Sequence, residues 1–150
     1  MRTIVSLAVL FAALAAAGGA AATVAVSAPW SRPAIGTGVV YLTITNGTAT
    51  PDRLLAAASP VAGAVELHDS TETRGTMGAM PGMAMGGIAS MHPVAFITVP
   101  PHGMVALAPG GYHVMLIGLH HDLHAGEAFP IRLHFARRGW LTATVHVRPN

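Results

Sequence analysis

Apolar and polar positions alternate in short runs along this chain, and nowhere beyond the first two dozen residues do they hold a helical period for long. Val39–Thr45 (VVYLTIT) is β-branched, apolar and aromatic, and is bounded by Gly38 and Asn46-Gly47; such a run predicts a strand. Ala64–His68 and Ala95–Val99 read as shorter strands, the second closed by Pro100-Pro101. Met104–Leu107 follows, and Pro109-Gly110-Gly111 makes a turn. Tyr112–Leu119 is apolar enough to run through the middle of a sheet. Phe129–Phe135 alternates, with Ile131, Leu133 and Phe135 on one face and Arg132 and His134 on the other. Leu141, Ala143, Val145 and Val147 share a face in the last run. Short strands at regular spacing, separated by Gly/Pro turns, predict an all-β domain, a Greek-key sandwich or barrel.

Two segments depart from this pattern. The first begins with Arg2, continues as an apolar run from Ile4 to Ala17, and ends in small residues that offer Ala20-Ala21-Ala22 for cleavage. It reads as a signal peptide over residues 1–22. Gly18-Gly19 interrupts it, and the run before them is short for a bilayer-spanning helix of about 20 residues. The expected mature domain is residues 23–150, with no membrane span left after cleavage. The second is Ser70–Ser90, rich in glycine and methionine and poor in β-branched residues. It cannot build a core by itself and reads as a long loop inserted between two strands.

Charge changes the picture by its scarcity. Eight arginines, no lysine and six acids give a formal net charge of +2, and loss of Arg2 with the leader takes it to +1. Arg137-Arg138 is the sole adjacent basic pair, so the clustered footprint that nucleic-acid binding requires is missing. There is no cysteine, which excludes a lipid-anchored lipoprotein and a blue-copper thiolate centre. An exported chain faces an oxidising compartment where free thiols are at risk, and thioethers can serve there as soft ligands. The chain has eight methionines and nine histidines.

The candidate chemistry lies in three places. His68 ends the strand AVELH, Met91 precedes the next strand in MHPV, and His113-Val114-Met115 lies inside GGYHVMLIGL. Residues i and i+2 of a strand face the same way, so His113 and Met115 project together, roughly 7 Å apart at Cα. Met91 and His68 flank the methionine-rich loop. Two imidazoles and two thioethers form a soft, uncharged set that fits Cu(I) better than zinc, calcium or magnesium. Taken singly, each residue has a plainer account: a surface or hydrogen-bonded histidine, or a methionine filling a gap in the core. A second histidine group, His120, His121 and His124, offers Cu(II) or zinc ligands or simply a solvated turn.

These residues carry a resemblance. A histidine, a later methionine, a spacer of twenty-one residues and His-x-Met is the signature of the periplasmic copper-chaperone family known as PCuAC. Twenty-one residues separate Met91 from His113, and HVM follows. The flanks match too: VELH at Val65–His68, M-x-P-V at Met91–Val94 and PGGYH-x-ML-x-GL at Pro109–Leu119. APWSRPA at Ala28–Ala34 and G-x-G-x-x-Y-x-x-I-x-N at Gly36–Asn46 extend the likeness, which runs from about Ala28 to Val147. The resemblance implies a cupredoxin-like Greek-key β-sandwich with His68, Met91, His113 and Met115 as Cu(I) ligands. It also implies a copper acceptor: an oxidase subunit with a binuclear CuA site, or a thiol-bearing assembly protein. Two features differ from the family pattern. His68 and Met91 are separated by twenty-two residues, more than is usual, and the excess holds Met77, Met80, Met83 and Met85. His92 stands where the family usually has arginine.

The expected function is therefore periplasmic Cu(I) delivery by a monomer, from a site that is exposed, shallow and uncharged, with affinity falling through the histidine range near ~6.5. Two rivals remain at this point. One is a copper buffer or resistance protein drawing on the loop methionines; the other is a metal-free β-sandwich interaction module. No enzyme is expected, because the sequence has no nucleophile elbow, no acid pair and no phosphate loop.

Overall fold

The computed structural model describes residues 22–70 and 91–150. They form ten strands: β1 (Val24–Ser31), β2 (Thr37–Asn46), β3 (Asp52–Ala58), β4 (Ala62–Asp69), β5 (His92–Pro93), β6 (Ile97–Val99), β7 (Gly103–Leu107), β8 (Tyr112–Leu119), β9 (Ala128–Phe135) and β10 (Gly139–Val147). No helix occurs among the described residues, so none there is long and apolar enough to cross a membrane. The expected leader lies outside the described residues, apart from its last residue, Ala22. Most of the expected loop, with Met77, Met80, Met83 and Met85, also lies outside them.

Hydrogen bonds link the strands in the order β5-β4-β8-β2-β1-β10-β9-β3-β6, with β7 added along the second half of β2. Every pairing is antiparallel except β1 with β10. β3 and β4 stand far apart on this path, yet only Ser59-Pro60-Val61 joins them. The sheet must therefore curl back on itself, and the all-β sandwich expected from the alternation is what results. Its interior is lined by Val40, Leu42 and Ile44 of β2, Val114 and Leu116 of β8, and Ile131, Leu133 and Phe135 of β9, all buried. β8 runs between β4 and β2, as its apolar composition requires.

β1 and β3 do not stand out in the sequence as strands. β1 contains Pro29, which has no N–H for a ladder. Its register against β2 shifts between Ser27 and Trp30, and Ala28 takes a left-handed φ of 49°, so the proline falls in a bulge. β3 (DRLLAAA) has the composition of a helix. Pairing with β9 on one side and β6 on the other overrides that local preference and buries Leu54 and Ala57.

One buried carboxylate ties the closing hairpin to this frame. Asp52 Oδ1 accepts the backbone N–H of Arg53 at 2.7 Å and of Arg137 at 2.9 Å, and Oδ2 accepts that of Arg138 at 3.0 Å. Removing the carboxylate leaves three part-buried donors without their partner, at a cost of up to about 1–3 kcal/mol for each group left unsatisfied. Asp52→Ala is expected to lower the unfolding free energy by about 2–4 kcal/mol, measured by urea denaturation. A change below about 0.5 kcal/mol, the range of ordinary surface substitutions, would show that these bonds do not hold the turn.

Candidate metal centre

β4 and β8 pair so that His68 lies opposite His113 and Glu66 opposite Met115. The intervening residues Leu67, Val114 and Leu116 point into the core. Alternation then sends Glu66, His68, His113 and Met115 to the other face of the sheet. β5 pairs its Pro93 with His68, which extends the same row across three strands. Met91 is two residues before Pro93, and the chain carries it to the edge of this row. On the other side β2 sets Val39 opposite Met115. The Tyr41 ring lies edge-on to His113 with centroids 6.5 Å apart, and Trp30 packs on Tyr41 at 4.8 Å. Two pairs distant from each other in sequence, Glu66/His68 and His113/Met115, are thus brought to one face by strand register.

The two imidazoles are the floor of the site. Their ring centroids are 5.6 Å apart, and both residues are buried, His113 at 2% exposure and His68 at 7%. Each ring has one nitrogen engaged and one without a partner. His113 Nδ1–H donates to the Gly111 carbonyl at 3.1 Å, and His68 Nε2–H donates to Glu66 Oε2 at 2.8 Å. His113 Nε2 and His68 Nδ1 are buried with no hydrogen-bond partner. A buried polar atom without a partner is costly and rare. Two such lone pairs on facing rings are what a metal ion would satisfy, and a second N–H engaged by a carboxylate or carbonyl is the usual arrangement behind a metal-binding histidine.

Gly111 is held in turn. Its carbonyl also accepts the Ser70 backbone N–H at 3.1 Å and the Ser70 hydroxyl at 3.0 Å. Ser70 is buried, and it locks the end of β4 to the turn before β8. Burial holds the pKa of His113 below the ordinary histidine value, and the positive charge of a protonated His68 pushes the same way. The Gly111 carbonyl and Asp69 pull it back up only in part. His113 is therefore neutral, with its lone pair available, at neutral pH.

The site is not the open, shallow one expected from the sequence. Its histidines are covered because a two-sided sheet with aromatic neighbours shields them. Met91, two residues before Pro93, is 52% exposed, and Met115 is half-buried. Nor is the face wholly uncharged, since Glu66 stands in it. His120, His121 and His124 are exposed, and among the described residues no three His, Cys, Asp or Glu side chains gather to hold a metal. In that turn the carboxylate of Glu127 accepts the His124 backbone N–H at 3.2 Å and lies 3.9 Å from His121 Nε2.

The profile of the family described as "Putative lipoprotein LpqE-like" matches residues 24–147. The chain belongs to the LpqE-like family. No curated protein sequence matches it. Among solved structures, the copper(I) form of DR1885 from Deinococcus radiodurans is 30% identical, covering 91% of this chain and 84% of that one at a TM-score of 0.61. The copper-bound PCuAC domain of PmoF2 and the apo PCuAC domain of PmoF1 are each 24% identical over 85% of this chain, with 94% and 95% of theirs covered and TM-scores of 0.67 and 0.66. The PCuAC domains share the fold, and the likeness to the PCuAC copper-chaperone family read from the motif spacing stands. The LpqE-like family description names a lipoprotein, whereas none of the 150 residues here is a cysteine able to carry a thioether-linked lipid.

Glu66, Ser70, Gly111 and Tyr41 were not singled out by the sequence. Glu66 was within reach, because it stands two residues before His68 on the same strand and must share its face. The turn at Gly111 was legible, but not that its carbonyl would meet Ser70 and His113, and the places of Ser70 and Tyr41 follow from register that no local pattern announces.

Proposed function

We propose that this LpqE-like protein is an exported Cu(I) chaperone that holds one ion with His68, His113, Met115 and Met91. The observation carrying this reading is the pair of buried imidazoles 5.6 Å apart, each with an unpartnered nitrogen. Two thioethers stand on the same face or at its rim, and sulfur of this kind favours Cu(I). The copper-bound forms of PmoF2 and DR1885 support the choice of metal. The neutral donors leave the bound ion its single positive charge, and the thioethers need lose no proton to bind.

Export to the periplasm is supported by the leader-like first 22 residues and by the lipoprotein description of the family. The cargo leaves by ligand exchange. Met91, exposed at the rim, gives way to an incoming donor while the buried histidines still hold the ion. The acceptor in this reading is the CuA-site subunit of a cytochrome oxidase or a thiol-bearing assembly protein. An anaerobic titration of residues 23–150 with Cu(I) against a coloured chelator tests the proposal. One tight equivalent per chain is expected. Absence of any equivalent that competes with the chelator would overturn it, and several equivalents of similar strength would replace delivery by storage.

A further inference from the structure

His68 and His113 lie opposite one another in register, yet a different nitrogen is left without a partner on each ring. A neutral imidazole carries one N–H, and whichever nitrogen donates leaves the other as the lone pair. At His113 the backbone carbonyl of Gly111 takes Nδ1–H, so Nε2 is free. At His68 the acceptor is a side chain, Glu66 Oε2 at 2.8 Å, and the free nitrogen is Nδ1. Glu66 lies opposite Met115 on the same face and is itself 46% exposed, while the His68 side chain is only 10% exposed. A carboxylate that only accepts hydrogen bonds therefore fixes both the tautomer and the rotation of a buried ring.

We infer that Glu66 is a positioning residue which makes His68 bind metal through Nδ1, so that one Nδ1 and one Nε2 hold the ion. The assignment rests on the copper reading for its metal, but the ring state set by Glu66 belongs to the metal-free chain. Without Glu66 the His68 ring is free to turn over, and either nitrogen can face His113. Loss of such a supporting partner typically weakens metal binding about 10–100-fold.

The test is 15N-detected NMR of the histidine rings in the parent chain, E66A and E66Q, each metal-free and with one equivalent of Cu(I). The parent is expected to show a slowly exchanging Nε2–H at His68 when metal-free. On adding Cu(I), the shift should fall on His68 Nδ1 and His113 Nε2. E66A should lose the slow proton, bind through a mixture of His68 nitrogens and hold Cu(I) about 10–100-fold more weakly. E66Q, whose amide oxygen can accept the same bond, should keep Nδ1 binding. Binding through His68 Nε2 in the parent would overturn the assignment. So would an E66A variant indistinguishable from the parent in both ring state and affinity. If Cu(I) moves neither ring, the copper reading fails by itself. The metal-free comparison of parent with E66A then still decides whether Glu66 sets the ring. Because Glu66 is exposed, neither variant threatens the fold.

Discussion

The His113→Ala/Met115→Ala variant is expected to lose the tight Cu(I) equivalent, with affinity falling by more than about 100-fold. That figure lies beyond the 10–100-fold typical of losing a mere supporting contact, because two donors leave at once. His113 supplies one of the two unpartnered nitrogens, and Met115 is the thioether fixed on the same strand two residues away. What remains is His68 with Met91, a pair that has no second nitrogen facing it. Val114 and Leu116 supply the apolar core from β8, but His113 is itself buried, so its truncation also removes packing. Circular dichroism of the metal-free variant checks the fold before any titration is read. A folded variant that binds as tightly as the parent would remove the site from His113 and Met115. The donors would then have to be sought in the methionines between Ser70 and Met91.

The same residues show what a single sequence can and cannot reveal. Phe129–Phe135 and Leu141–Val147 announce themselves because one face of each is buried and the other wet, so strict alternation is forced on the sequence. β3 hides because its alanines and leucines prefer a helix when alone, and only β9 and β6 make it a strand. In the site, spacing alone was enough to pair His113 with Met115, since the period of a strand is two. It could not say that His68 would face His113, because that depends on the register of β4 against β8. Nor could it say that both rings would be buried. Burial comes from Tyr41, from β5 pairing at the edge of β4, and from the Ser70–Gly111 clasp, all of which bring together residues far apart in the chain.

Burial sets the last prediction, the pH at which copper is lost. Each imidazole must be neutral to donate, so protons compete with Cu(I) below each ring's own pKa. The His113 value lies below the ordinary ~6.5, with burial the main cause. Protonated His68 lowers it further, while the Gly111 carbonyl and Asp69 act the other way. The loss of affinity due to His113 should therefore begin only below ~6.5. Each competing proton then costs up to about tenfold per pH unit below the pKa of its ring, so Cu(I) affinity should fall steadily once the pH is well into the acid range. Metal-free stability changes in the same direction. The unfolded chain takes up the proton at the ordinary value, above the folded one. The contribution of His113 to stability is thus complete above ~6.5 and declines as pH falls toward the folded value. Following ellipticity alongside the titration separates unfolding from proton competition. An affinity that stays flat from neutral pH to pH 4 in a folded chain would rule out imidazole ligation. In a His113→Ala variant the same experiment should lose one proton from the competition, which assigns that step to His113 rather than to His68.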